Sequence, residues 1–183
     1  MRAFVAVDLP DVARDALQAV QDDLPVGRLM APETLHVTLG FLGDQPQHVI
    51  AAVDEELATI RFAPFRLILQ GLDTFGGKQP KLLWAGVAAE PKLAALRDQV
   101  RRAIASAGLE LPRERFRPHV TLARFRGDMR GSELERLAGF LGHHAGFSAA
   151  PFLVDRFNLY RSVLLPEGAV HETLAVYAAP SRA

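Results

Sequence analysis

Two short segments carry the residues best suited to chemistry: His36-Val37-Thr38 and His119-Val120-Thr121, each followed by leucine. Successive side chains on a strand point to opposite faces. On a strand, each segment puts its imidazole and hydroxyl on one face. Val37 and Leu39, or Val120 and Leu122, lie on the other. Such a strand has one face fit for a core and one fit to line a polar groove. An imidazole with an ordinary pKa of about 6.5 can be neutral or protonated near neutral pH. A neutral ring can take a proton from an attacking oxygen, and a protonated ring can give one to a leaving oxygen. Neighbouring hydroxyls can hold the non-bridging oxygens of a phosphate. Two histidines and two threonines around one phosphorus would therefore give metal-free acid–base chemistry on a phosphodiester.

One His-x-Thr alone is common by chance and reads as an ordinary strand. The second copy changes the balance, because it repeats the central valine and the following leucine at an equivalent place in a duplicated layout. The first half reads as strand 4–7, helix 11–24, strand 33–44, helix 46–60 and strand 65–75, then a turn at 76–80. The second reads as strand 82–89, helix 90–108, strand 117–125, helix 132–144 and strand 151–165, then a turn at 166–168 and a last strand at 171–179. Ser132 with Glu135 has the pattern of a capping box. The expected fold class is α/β (α+β): a single bilobal domain over 1–183, with repeats at about 1–80 and 81–165. Two βαβαβ lobes with mixed or antiparallel sheets would flank a central groove, each supplying one His-x-Thr strand. Clefts between lobes are common ligand sites.

Composition narrows the partners. The 183 residues include 21 Lys+Arg and 21 Asp+Glu, so the net charge is zero and any nucleic-acid contact must be a local patch. Such a patch lies at 113–130, where six arginines face only Glu114 and Asp128. The absence of cysteine excludes thiolate metal sites, disulfides and a cysteine nucleophile. The N-terminal apolar run is short and broken by Asp8, unlike a secretory signal. No run approaches the roughly 18 apolar residues of a membrane span. The expectation is a cytoplasmic protein, monomeric and without cofactor. His143-His144 closes a helix, where cationic side chains are favoured, and no metal ligand is assigned there.

The paired motifs, with RAFVAVDLP, LHVTLGFLGD, PKLLWAGV and FRPHVTLAR around them, give the chain a resemblance that covers nearly its whole length. It resembles the 2H phosphoesterases, in particular the RNA 2′,3′-cyclic phosphodiesterases also called 2′-5′ RNA ligases. The resemblance implies opening of a terminal 2′,3′-cyclic phosphate on RNA, or on a small cyclic nucleotide, to a 2′-phosphate. The reverse step, with an RNA 5′-hydroxyl in place of water, would be 2′-5′ ligation. It implies His36 as proton donor, His119 as proton acceptor, and Thr38 and Thr121 as phosphate ligands. The near-symmetry of the two motifs does not itself say which ring is the base.

The resemblance also points to Arg124 as a substrate contact. Strict alternation puts Arg124 on the face opposite His119, so it reaches the site only if the strand ends or bulges near Ala123. Arg126 and Lys81 are further candidate substrate contacts, set against a solvated surface. Phe41 shares parity with Val37 and Leu39 and is expected in the core, as is Trp84. His171 stands where the family pattern has a tyrosine. The competing reading is a non-catalytic RNA-binding module using the Arg113–Arg130 stretch. A histidine metal hydrolase is weaker still, since no HExxH-type spacing occurs.

Overall fold

The computed structural model describes residues 1–166 and 168–180. In chain order the elements are β1 (Arg2–Asp8), α1 (Asp11–Asp22), β2 (Arg28–Leu29), a 3-10 turn at Pro32–Thr34, β3 (His36–Asp44), α2 (Gln47–Leu57), β4 (Phe65–Leu67), β5 (Leu69–Phe75), β6 (Leu82–Val87), α3 (Pro91–Ser106), β7 (His119–Arg124), α4 (Ser132–His143), β8 (Phe152–Val154), β9 (Arg156–Leu165) and β10 (Gly168–Ala178). The turn expected at 166–168 includes Glu167, which lies outside the described residues. Among the described residues no helix is long and apolar enough to cross a membrane.

One four-stranded sheet has the order β10-β9-β1-β3 and the other β2-β7-β6-β5, and every pairing is antiparallel. The sheets are not the two halves of the sequence. Each half gives strands to the other sheet: β9 pairs with β1 and carries β10, while β5 pairs with β6 and β2 with β7. The segments 65–75 and 151–165 are accordingly not single strands. Each changes partner at one residue, Ile68 or Asp155, because its first part is zipped into a small third sheet where β4 pairs with β8. This exchange ties the halves together, and one continuous core runs beneath both sheets, with Val5, Val37, Leu83, Val100 and Val120 fully buried.

Smaller differences have local causes. Glu33 and Thr34 belong to the 3-10 turn rather than to β3. The cap of α4 is Gly131, at φ 47°, and Ser132 is already the first helical residue, so its hydroxyl caps nothing. The two residues of β2 carry no strand pattern of their own. The strand forms because Gly27, at φ 100°, lets the chain pass where a Cβ would stand 2.7 Å from the Phe125 ring.

Both His-x-Thr strands contain the same irregularity. In β3 the pairing with β1 steps from Thr38↔Ala6 to Gly40↔Val5 and leaves Leu39 as an extra residue. In β7 the pairing with β6 steps from Thr121↔Trp84 to Ala123↔Leu83 and leaves Leu122 extra. These are β-bulges, and each reverses the parity of the strand beyond it. Leu39 and Gly40 are both buried, as are Leu122 and Ala123. The next residues, Phe41 and Arg124, come out on the face of the histidine and threonine. Phe41 is 47% exposed rather than packed in the core, and the Arg2 guanidinium lies 4.8 Å over its ring.

The bulge in β7 is held by a buried polar residue. Gln21, on α1, is 3% exposed, and its amide donates to the carbonyls of Leu122 at 2.8 Å and Met30 at 2.9 Å. The Met30 N–H also donates to the Leu122 carbonyl. Gln21→Leu removes a donor from the Met30 carbonyl and leaves the Leu122 carbonyl with the Met30 N–H alone, and is expected to destabilise the fold by about 1–3 kcal/mol in urea unfolding. An unchanged midpoint would mean that Gln21 does not support the bulge.

Candidate active site

The polar faces of β3 and β7 line one groove of about 760 Å³, shared by His36, Thr38, His119, Thr121, Arg124 and His171. The two principal rings are anchored in the same way. His36 Nδ1 is 2.7 Å from the Thr34 carbonyl, and His119 Nδ1 is 2.7 Å from the Arg117 carbonyl. A carbonyl only accepts, so each Nδ1 carries a hydrogen. A neutral ring then keeps its lone pair on Nε2. For His36, that atom lies 3.1 Å from Thr38 Oγ1. In each strand the carbonyl two residues upstream thus fixes both ring orientation and tautomer.

The surroundings of the rings differ. His36 stacks on Phe4 at 4.7 Å between ring centres, and Phe4 in turn stacks on Tyr160. His171 meets His36 edge-on at 5.2 Å. Burial of His36 pushes its pKa down to about 4, and positive charge on His171 or His119 acts in the same direction. His36 is therefore neutral at pH 7. Burial also lowers the pKa of His171. His119 instead stands edge-on to Phe75 at 5.1 Å and to Trp84 at 5.9 Å. Trp84 is only partly buried, and its ring packs against Phe75 and His119 rather than in the main core.

The candidate basic contacts separate. The bulge brings Arg124 to the groove, opposite Arg28 in the β2–β7 register, and Arg2 and Arg28 line the groove as well. Arg126 and Lys81 are not brought there. Arg126 is exposed and pairs with Glu133 at 3.5 Å, while Lys81 is exposed beside the 76–80 turn. Of the six arginines at 113–130, Arg124 alone lines the groove. Sequence reasoning missed Arg2, Arg28 and Phe4. Arg2 and Phe4 share parity on β1, a signal that was available. Arg28 offered none, since its place depends on the turn at Gly27.

Two cross-linked sheets, each supplying one of a pair of equivalently anchored histidines, define a two-lobed α/β protein with a histidine-lined groove. The chain belongs to the 2′-5′ RNA ligase superfamily, whose pattern matches residues 9–164. It is 35% identical over 144 residues to an RNA 2′,3′-cyclic phosphodiesterase of Aeropyrum pernix, covering 78% of this chain and 80% of that one. It is 29% identical to the protein of the same name from Archaeoglobus fulgidus, over 97% of this chain and 99% of that one. Among solved structures it is similar to TT0787 of Thermus thermophilus, with a TM-score of 0.76 at 28% identity and 97% of each chain covered.

Proposed function

We propose that this protein hydrolyses the terminal 2′,3′-cyclic phosphate of RNA to a 2′-phosphate, by acid–base catalysis from His36 and His119. The observation that carries this reading is the convergence of two His-x-Thr strands, with matching bulges and matching ring anchors, on one groove. The shared names of its relatives support the substrate class. The groove arginines suit a phosphodiester anion. Both lobes act as one unit over 1–183, in keeping with their exchanged strands and common core.

In the forward step the anion lies between the rings, with its non-bridging oxygens on the Thr38 and Thr121 hydroxyls and on Arg124. His119 Nε2 accepts a proton from water as its oxygen attacks phosphorus. The bond from phosphorus to the 3′ oxygen breaks, and His36 Nε2–H protonates that oxygen. His36 must gain a proton before this step. The negative phosphodiester supplies the charge that favours it, so the proton enters with the substrate. Running the step backwards with an RNA 5′-hydroxyl in place of water forms a 2′-5′ linkage.

The test uses end-labelled RNA bearing a cyclic phosphate, with EDTA present, and product analysis. A 2′-phosphate is expected. A 3′-phosphate, loss of activity in EDTA, or equal binding of cyclic-phosphate and 3′-hydroxyl RNA without turnover would overturn the reading; the last outcome would favour a binding module. Arg124→Ala is expected to raise KM about tenfold or more by removing a charged contact. An unchanged KM would remove Arg124 from the substrate site.

A further inference from the structure

We propose that Asp23, His143 and His144 form a binding site for a divalent zinc ion, outside the histidine-lined groove. One ligand atom from each of the three lies within 4.8 Å of the others. None of these residues lines the groove. The set is two imidazoles and a carboxylate, which suits Zn²⁺; calcium and magnesium prefer all-oxygen shells. Tetrahedral zinc with bonds of about 2.0–2.1 Å puts ligand atoms about 3.3 Å apart, so the widest separation within the set must close for zinc to bind. Asp23 and His143 are exposed and free to make that adjustment.

His144 already holds the position a ligand needs. Its ring packs on Phe140 at 4.7 Å, and its Nε2 lies 3.1 Å from Asp23 Oδ2, across 121 residues of sequence. His143 sits 4.9 Å from His144, ring centre to ring centre, with the rings nearly perpendicular. On binding, His144 moves its Nε2 hydrogen to Nδ1 or releases it, and the freed lone pair and the Asp23 carboxylate both turn to the metal.

A second feature favours a cation there independently of the ligand set. Asp23 is the C-cap of α1 and His144 the C-cap of α4. Two helix C-termini, each the negative end of its dipole, therefore converge on the site. A bound ion would brace α1 against α4. Nothing in local spacing reveals the site, because its third ligand comes from the other half of the sequence.

The test is calorimetric titration of the untagged, full-length protein with ZnCl₂ in a non-chelating buffer. One zinc ion per chain is expected to bind, with a micromolar dissociation constant. His143→Ala and Asp23→Ala should each weaken binding by about tenfold or more. Both positions are exposed, so these variants are expected to fold. Saturating zinc should raise the Tm of the wild type by about 5–10 °C and that of the two variants much less. His36→Gln and His171→Phe, which alter the groove histidines, should leave zinc binding intact. Absence of binding, or binding lost in the groove variants but kept in His143→Ala, would overturn the proposal. Neither result depends on turnover of RNA, so failure here is separate from failure of the proposed function.

Discussion

Replacing His119 by alanine is expected to lower kcat on a cyclic-phosphate substrate by about 10³–10⁴, and His36→Ala to do the same. Each change removes one of two proton transfers and leaves the phosphate ligands in place. KM should therefore change far less than kcat. Folding should persist, since His119 is tied to the fold by one bond to the Arg117 carbonyl and by ring contacts with Phe75 and Trp84. Circular dichroism and urea midpoints provide that control. The double variant should be little worse than either single one, because acid and base act in the same step. Single-turnover measurement of the labelled RNA settles the matter: a loss of less than tenfold in both single variants removes the two-histidine mechanism.

The second large effect is an acid-sensitive fold that traces to His36. In the folded protein burial holds its pKa at about 4, against about 6.5 for a solvated ring. Between these values the unfolded chain binds a proton that the folded one refuses. The stability that His36 contributes by staying neutral is complete above about pH 6.5, declines as the pH falls, and is lost by about pH 4. The difference corresponds to about 3 kcal/mol at most. Urea unfolding of the wild type at pH 7 and pH 4.5 should show this loss on top of that from carboxylates. His36→Gln, which cannot titrate, should show a smaller difference between the two pH values. Equal differences in both proteins would mean that His36 is not a buried neutral ring.

The same property bears on catalysis. An anion entering the groove raises the proton affinity of His36, so binding of inorganic phosphate near pH 6 should take up protons. This uptake can be read as a dependence of binding enthalpy on buffer ionisation, and it should be smaller in His36→Gln.

The sequence by itself determined that two histidine-and-threonine pairs share the polar faces of two strands, and most of the elements around them. His36, Thr38, His119 and Thr121 were legible because alternation on a strand is a local rule, and both segments obey it through the threonine. Helices α1, α2, α3 and α4 follow from local apolar spacing and lie within the expected segments. The tertiary structure decided where that rule stops. A bulge depends on the pairing partner, so the extra residues Leu39 and Leu122 appear only once β1 and β6 are in register. That register turned Phe41 out of the core and Arg124 into the groove. The exchange of β5 and β9 between sheets was likewise hidden, because a strand's hydrophobic pattern records that it is buried and not which neighbour buries it. The depressed pKa of His36 belongs to the same category. It arises first from burial, and the Phe4 and His171 rings packed on His36 come from near the two ends of the chain and meet only in the folded protein.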